Sequence, residues 1–193
     1  MAAHQKEEHS LQTRIGLSDA VARQQKELKL SWKSLDSHDV QLLNGLIPTT
    51  TALQELDLRH NKLADAGTVA LADGLKKCNK QLNTIRLARN GITDKGATAL
   101  ASFLADTDAS KGVKTLDLSL NAMRDDKALG NALATNTGLT TLDLSSNALR
   151  TGRAIAAALS KNRTLTHGHL LFNPLDVGSA AALAEALRAS RAD

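Results

Sequence analysis

The chain has 193 residues, 42% of them apolar, enough for one domain or one short solenoid. Aromatic residues reach only 2%, with no Tyr, one Trp and two Phe, so Leu and Ala must build the interior and a pocket gripping a flat cofactor is not expected. The net charge of +4 comes from 24 basic and 20 acidic residues mixed along the chain, and no basic cluster with stacking aromatics marks a nucleic-acid groove.

Residues 1–24 match nothing that follows. They are expected to form an N-terminal tail and a helical cap, with Leu11, Ile15 and Leu17 on one short helix and Ser18 capping a second. From residue 25 one phrase recurs. Leu53-Gln-Glu-Leu-Asp-Leu58-Arg-His-Asn61-Lys-Leu63 returns as Leu82 to Ile92, Val113 to Met123 and Leu139 to Leu149. Worn copies open the series at Leu28, Leu30, Lys33 and Leu35, and close it at Leu165, Leu170, Asn173 and Leu175. The register positions Lys33, Asn61, Asn90, Asn121, Asn147 and Asn173 follow at intervals of 28, 29, 31, 26 and 26 residues. A period of this length makes a stack of supersecondary units, none of which can bury its own apolar face alone.

Within each phrase positions four and six are apolar and their neighbours polar, the period of a strand. The pairs are Leu28/Leu30, Leu56/Leu58, Ile85/Leu87, Leu116/Leu118, Leu142/Leu144 and Gly168/Leu170. The Asn row is expected to bond backbone groups trapped between layers. The segments that follow, such as Gly67 to Leu75 and Gly96 to Leu104, carry a helical stripe, repeated at Ala128 to Leu133, Ile155 to Leu159 and Ala182 to Leu187. Asp65 and Thr93 or Asp94 are candidate N-caps. Residues 106–112 read as a surface loop. Gly168 stands where a core Leu belongs, which predicts a cavity unless Leu171 or a cap residue fills it. The repeats are placed at 25–176. A C-terminal capping helix is placed at 177–193, its outer face made polar by Glu185, Arg188 and Arg191.

The pattern L-x-x-L-x-L-x-x-N-x-L resembles the leucine-rich repeat, and the G-x-x-A-L-A-x-x-L second halves resemble the ribonuclease-inhibitor subfamily, which includes RanGAP-type proteins and the repeat domains of NOD-like receptors. The resemblance implies an α/β solenoid with parallel strands on a concave face and helices on a convex face. For function it implies a non-catalytic protein-protein interaction module, a structural or scaffold subunit of a larger assembly. A RanGAP-like GTPase-activating protein or a transient signalling adaptor is the alternative. The chain shows no acidic tail of the RanGAP kind. No phosphate-binding loop, H-E-x-x-H or Cys/His pairing points to an enzyme, and no cofactor or metal is expected.

The partner surface is expected among the outward positions of the concave face and its rim. Position five gives Lys29, Asp57, Arg86, Asp117, Asp143 and His169, read as a ladder of cross-strand ion pairs that fails where two carboxylates adjoin. Position eight gives Trp32, His60, Arg89, Leu120, Ser146 and Phe172. Aromatics and Arg are the usual interface anchors, so Trp32, Arg59, His60, Arg86, Arg89, Asp117, Leu120, Asp143, His169 and Phe172 are the candidate partner-binding residues, with cover by a cap the competing reading for Trp32 and Phe172. His167, His169 and Asp143 share a face and are a set that can bind a metal, but with no evident partners to orient them they are read as ordinary polar surface. Cys78, the only cysteine, cannot form an internal disulfide, and residues 1–10 lack the apolar core of a signal peptide. Without an apolar run of about 18 residues, the expectation is an intracellular, cytoplasmic protein that is not secreted, with protein partners and neither nucleic acid nor membrane.

Overall fold

The computed structural model describes residue 15, residues 24–78 and residues 80–189. The expected tail and cap therefore fall outside the described residues, Ile15 and residue 24 apart, as does Arg191. Strands and helices alternate: β1 (Glu27–Lys29), α1 (Ser37–Leu46), β2 (Glu55–Asp57), α2 (Ala64–Leu75), β3 (Thr84–Arg86), α3 (Asp94–Ala105), β4 (Thr115–Asp117), α4 (Lys127–Leu133), β5 (Thr141–Asp143), α5 (Arg153–Leu159), β6 (His167–His169) and α6 (Val177–Ala189). The six strands form one parallel sheet in chain order, and each helix packs against the helices of the adjoining repeats. Short parallel strands with helical crossovers, repeated without interruption, make a solenoid.

The register is the one the motif demands. Leu28, Leu56, Ile85, Leu116, Leu142 and Gly168 lie side by side, one per strand. All but Gly168 are buried, and Leu30, Leu58, Leu87, Leu118 and Leu144 are buried beside them. One core runs through the stack from Leu28 to Ile155 and takes in Ile15 at its start. Burying one such side chain contributes about 1.5–3 kcal/mol, and each depends on the layer beside it.

Polar side chains stitch the layers. Asn61 Nδ2 donates to the carbonyls of Leu30, Leu58 and Arg59, and its Oδ1 accepts the N–H groups of Lys33 and Leu35. Asn90, Asn121, Asn147 and Asn173 repeat the pattern, so the row bonds backbone as its spacing implies. A second row lies at the return from helix to strand. Asn136 and Asn162 are buried there, each spanning two layers and accepting two backbone N–H groups of its own turn.

A third row corrects the capping expectation. Thr93 does cap α3. Asp65 does not cap its own helix, since Leu63 precedes α2 without a side-chain cap. The Asp65 carboxylate instead crosses to the next repeat, where it accepts from Thr93 N, Thr93 Oγ1 and Gly96 N at 2.8, 2.6 and 2.9 Å. Gly96 permits this approach, because a Cβ there would stand 2.8 Å from Asp65 Oδ1. Asp94 reaches Arg124 and Asp125 N–H groups, and Asp126 reaches Ile155 N. Each carboxylate satisfies orphan donors at the start of the following repeat. In the first repeat, Asp36 and Asp39 form a reciprocal capping box on α1.

The end of the stack departs from expectation. Leu171 is 67% exposed and does not fill the space at Gly168. A cavity of about 180 Å³ remains beneath Gly168, lined by Leu142, Leu165, Leu170, Leu183 and Leu187 among others. The exposed side of α6 is mixed, with Glu185 and Arg188 exposed among alanines. Ser179 and Ala186 are buried and Leu187 lines the cavity, while Val177, Ala180, Ala184 and Arg188 are exposed. Glu185 lines a groove between α5 and α6 rather than the end. Alanines at helical spacing make much of α6 apolar, and Arg188 stands one turn after Ala184 on its exposed side.

Candidate protein-binding face and rim

The concave face is built by the outward positions of three-residue strands. Position three gives Glu27, Glu55, Thr84, Thr115, Thr141 and His167, and position five gives Lys29, Asp57, Arg86, Asp117, Asp143 and His169, in register. The position-five ladder is not how the ion pairs form. Lys29 pairs with Glu27 on its own strand at 2.7 Å, and Arg59 pairs with Asp57 at 2.7 Å. Arg86 reaches diagonally to Glu55, with Nε 2.8 Å from Oε1. Asp57 is already held by Arg59, so Arg86 takes the carboxylate two residues away, within reach of a long side chain.

Asp57 is buried, and burial pushes its carboxyl up. The Arg59 guanidinium and backbone N–H, with Arg86 beyond them, more than offset this and hold it below the usual carboxylate range. Asp117 and Asp143 stand side by side. Each is occupied within its own repeat: Asp117 Oδ1 accepts from Ser119 N and Oγ, and Asp143 Oδ1 accepts from Ser145 N. His167 and His169 are exposed on β6, with His167 Nδ1 2.9 Å from Thr166 Oγ1.

The rim is formed by position eight, and its backbone was not foreseen. Trp32, His60, Arg89, Leu120, Ser146 and Phe172 all have φ between 55° and 60°, the left-handed region that non-glycine residues seldom enter. For the first five the ladder holds the conformation. The Trp32 N–H donates to Arg59 O, His60 N–H to Ala88 O, Arg89 N–H to Ser119 O, Leu120 N–H to Ser145 O and Ser146 N–H to Leu171 O. Immediately afterwards the Asn must drop between the layers. One left-handed residue makes that reversal, and its side chain is thrown outward.

The consequence is an exposed row along one edge of the sheet. Trp32 is 69% exposed, Leu120 49% and Phe172 82%, so the described structure leaves uncovered the two aromatics for which cap cover was the competing reading. The Trp32 ring lies on the His60 ring, with centroids 3.8 Å apart and planes 12° from parallel. His60 Nδ1 is buried and has no hydrogen-bond partner among the described residues. Arg89 continues the row, exposed, and Arg59 and Arg86 lie half-buried behind it on the face. The structure therefore gathers Trp32, His60, Arg89, Leu120 and Phe172 on the rim, and places Arg59, Arg86, Asp117, Asp143 and His169 on the face.

The family model described as a leucine-rich repeat matches residues 51–72, 78–101 and 135–151. No curated protein matches the sequence. Among solved structures the fold is similar to a tropomodulin C-terminal domain from Caenorhabditis elegans, at 13% identity and a TM-score of 0.55, covering 94% of this chain and 93% of that one. It is also similar to leiomodin-1 actin-binding site 2, at 18% identity and a TM-score of 0.52, covering 94% of this chain and 87% of that one. The chain carries leucine-rich repeats in an α/β solenoid.

Proposed function

We propose that this chain is a non-catalytic protein-interaction module, acting as a structural or scaffold subunit of an intracellular, cytoplasmic assembly, and that its partner is held by the rim row and the adjoining concave face. The observation that carries the reading is the left-handed row at position eight. Six side chains project from one edge, five of them from backbone held by inter-repeat hydrogen bonds, and three of the six are large, apolar and exposed. Such a row presents anchors on a backbone that is already ordered.

The area argues the same way. Six strands about 4.8 Å apart and three residues long offer roughly 250–300 Å² of flat face. A standard partner footprint is about 800 Å². The partner must therefore reach past the face onto the rim, where Trp32, Leu120 and Phe172 stand.

The leiomodin-1 fragment is named for actin binding, which makes actin the first partner to test. The subfamily resemblance and the RanGAP-like alternative rest on repeat similarity alone. Multiple-turnover GTP hydrolysis with Ran separates that alternative from the binding reading. The decisive experiment is affinity purification from the source cell at low and moderate salt, with actin co-sedimentation alongside. The wild-type chain is compared with the triple variant Trp32→Ser, Leu120→Ser, Phe172→Ser. A stoichiometric partner lost by a normally folded triple variant supports the reading. A partner retained by that variant, or none at either salt, overturns it.

A further inference from the structure

We propose that the rim takes a linear protein segment in which a run of acidic side chains adjoins a run of apolar ones, the acidic run over the first three repeats and the apolar run over the last three. This rests on the rim being the partner surface and adds the chemistry and direction of what binds there.

The rim changes character halfway along. In the first three repeats positions eight to ten carry Trp32, Lys33, His60, Lys62 and Arg89, the rest being Ser, Asn or Gly. In the last three they carry Leu120, Ala122, Ala148, Phe172 and Pro174, the rest being Ser or Asn. One half therefore holds three cations, the other holds no charge, and neither holds a carboxylate. Lys33, Lys62 and Arg89 are exposed, and none has an ion-pair partner among the described residues. The carboxylates of the adjoining strands are already taken, Glu27 by Lys29, Asp57 by Arg59 and Glu55 by Arg86. Behind the rim, Asp36, Asp65 and Asp94 are turned to backbone N–H groups at the starts of helices or of the following repeat. The three cations are thus left for a partner to neutralise.

The face sets the direction. Beside the uncharged half of the rim, Asp117 and Asp143 lie next to each other on β4 and β5, with no cation paired to either among the described residues. An acidic run shifted toward Leu120 and Phe172 would meet these two carboxylates and lose Lys33, Lys62 and Arg89. Repulsion at one end and attraction at the other fix one placement. An apolar run over Lys62 and Arg89 would strip their water without pairing them. Over Leu120, Leu171 and Phe172 it covers side chains that are 49%, 67% and 82% exposed.

Recognition falls on side chains, because the position-eight N–H groups of the first five repeats are spent on the next repeat and offer no ladder to a bound strand. Five steps of about 4.8 Å make the row about 24 Å long, which about eight residues of extended chain span.

Selection from a random-peptide library displayed on phage, against the full 193-residue chain, tests this without presuming a partner. The expected binders carry acidic residues adjoining apolar ones. The variant Lys33→Gln, Lys62→Gln, Arg89→Gln should weaken them about tenfold, as exposed ion pairs are lost. Leu120→Ser, Phe172→Ser should weaken them too, and added salt should weaken binding to wild type but not to the glutamine variant. On Asp117→Asn, Asp143→Asn, selection should also return segments acidic along their whole length, which wild type rejects. Thermal melts equal to wild type establish that each variant folds. Binders that need Leu120 and Phe172 but carry no acidic residues, or that keep their affinity for the glutamine variant, overturn this proposal and leave the rim as the partner surface. Selection by wild type of segments acidic throughout, or of none, also overturns it, while the rim reading is judged separately by the purification of its natural partner.

Discussion

Replacing Gly168 with leucine restores to the sixth layer the side chain that the five before it carry. A Cβ at Gly168 meets nothing within 4 Å, and the residue sits over a cavity of about 180 Å³. Full burial of a leucine contributes about 1.5–3 kcal/mol, and β6 is an edge strand with one side open, so about half is realised. Removing glycine from a strand adds about 0.5–1 kcal/mol, and fixing the new rotamer costs about 0.5–1 kcal/mol. The net gain is about 1–1.5 kcal/mol. For a chain of this length it raises Tm by about 2–6 °C. Thermal and urea unfolding followed by circular dichroism, at concentrations where the chain is monomeric, read it directly. Gly168→Ser isolates the backbone share, since it changes the strand propensity without filling the cavity. The reasoning fails if Gly168→Leu is no more stable than Gly168→Ser, for then no apolar space stands open beneath that position in solution.

Asn90→Ala strands the carbonyls of Leu58, Leu87 and Ala88 at a site 3% exposed, and should cost about 3 kcal/mol in urea unfolding. Lys33→Ala, at the same register position but exposed, should cost less than about 0.5 kcal/mol. Leu120→Asn places at φ 56° a residue that tolerates the left-handed region, so it should raise stability by about 0.5–1 kcal/mol while weakening partner binding measured by pull-down. Asp57 and Asp65 both sit below the ordinary carboxylate range in the fold, so their contribution is present above the unfolded value of about 3.9 and is lost as pH falls through the folded ones. Asp57→Asn and Asp65→Asn should therefore each flatten the acid limb of the stability–pH curve. Asp126, pushed up by burial against backbone hydrogen bonds that lower it, works in the opposite sense, and Asp126→Asn should steepen that limb.

What the sequence disclosed and what it hid divide by the range of the interaction. Strand register was legible because one motif fixes which residues face the core, and the Asn row because its purpose follows from burial within the repeat. The helices of the second halves were legible from their stripe. The capping box Asp36-Ser-His-Asp39 is a local signal as well, and it marks the start of α1. By contrast, Asp65, Asp94 and Asp126 act on residues 28 to 31 positions later, which no local pattern announces. The rim conformation was hidden for a related reason. Trp, His, Arg, Leu, Ser and Phe share no preference for positive φ, and in the first five repeats it is the next repeat that accepts the N–H.

The same bonds serve cohesion and display. At each layer the position-eight N–H and the Asn that follows it tie one repeat to the next, and the reversal between them throws a side chain outward. A left-handed non-glycine residue costs about 1–2 kcal/mol, and one such cost recurs in every repeat. Glycine at position eight would avoid it, yet all six positions carry side chains, three of them large and apolar. Stability alone gives no reason to keep Trp32, Leu120 and Phe172 there, exposed and strained. A surface that must meet another protein does give one. Strain of this kind, held in place by the surrounding ladder, supports the proposal that a partner docks on the rim rather than on the polar floor of the sheet.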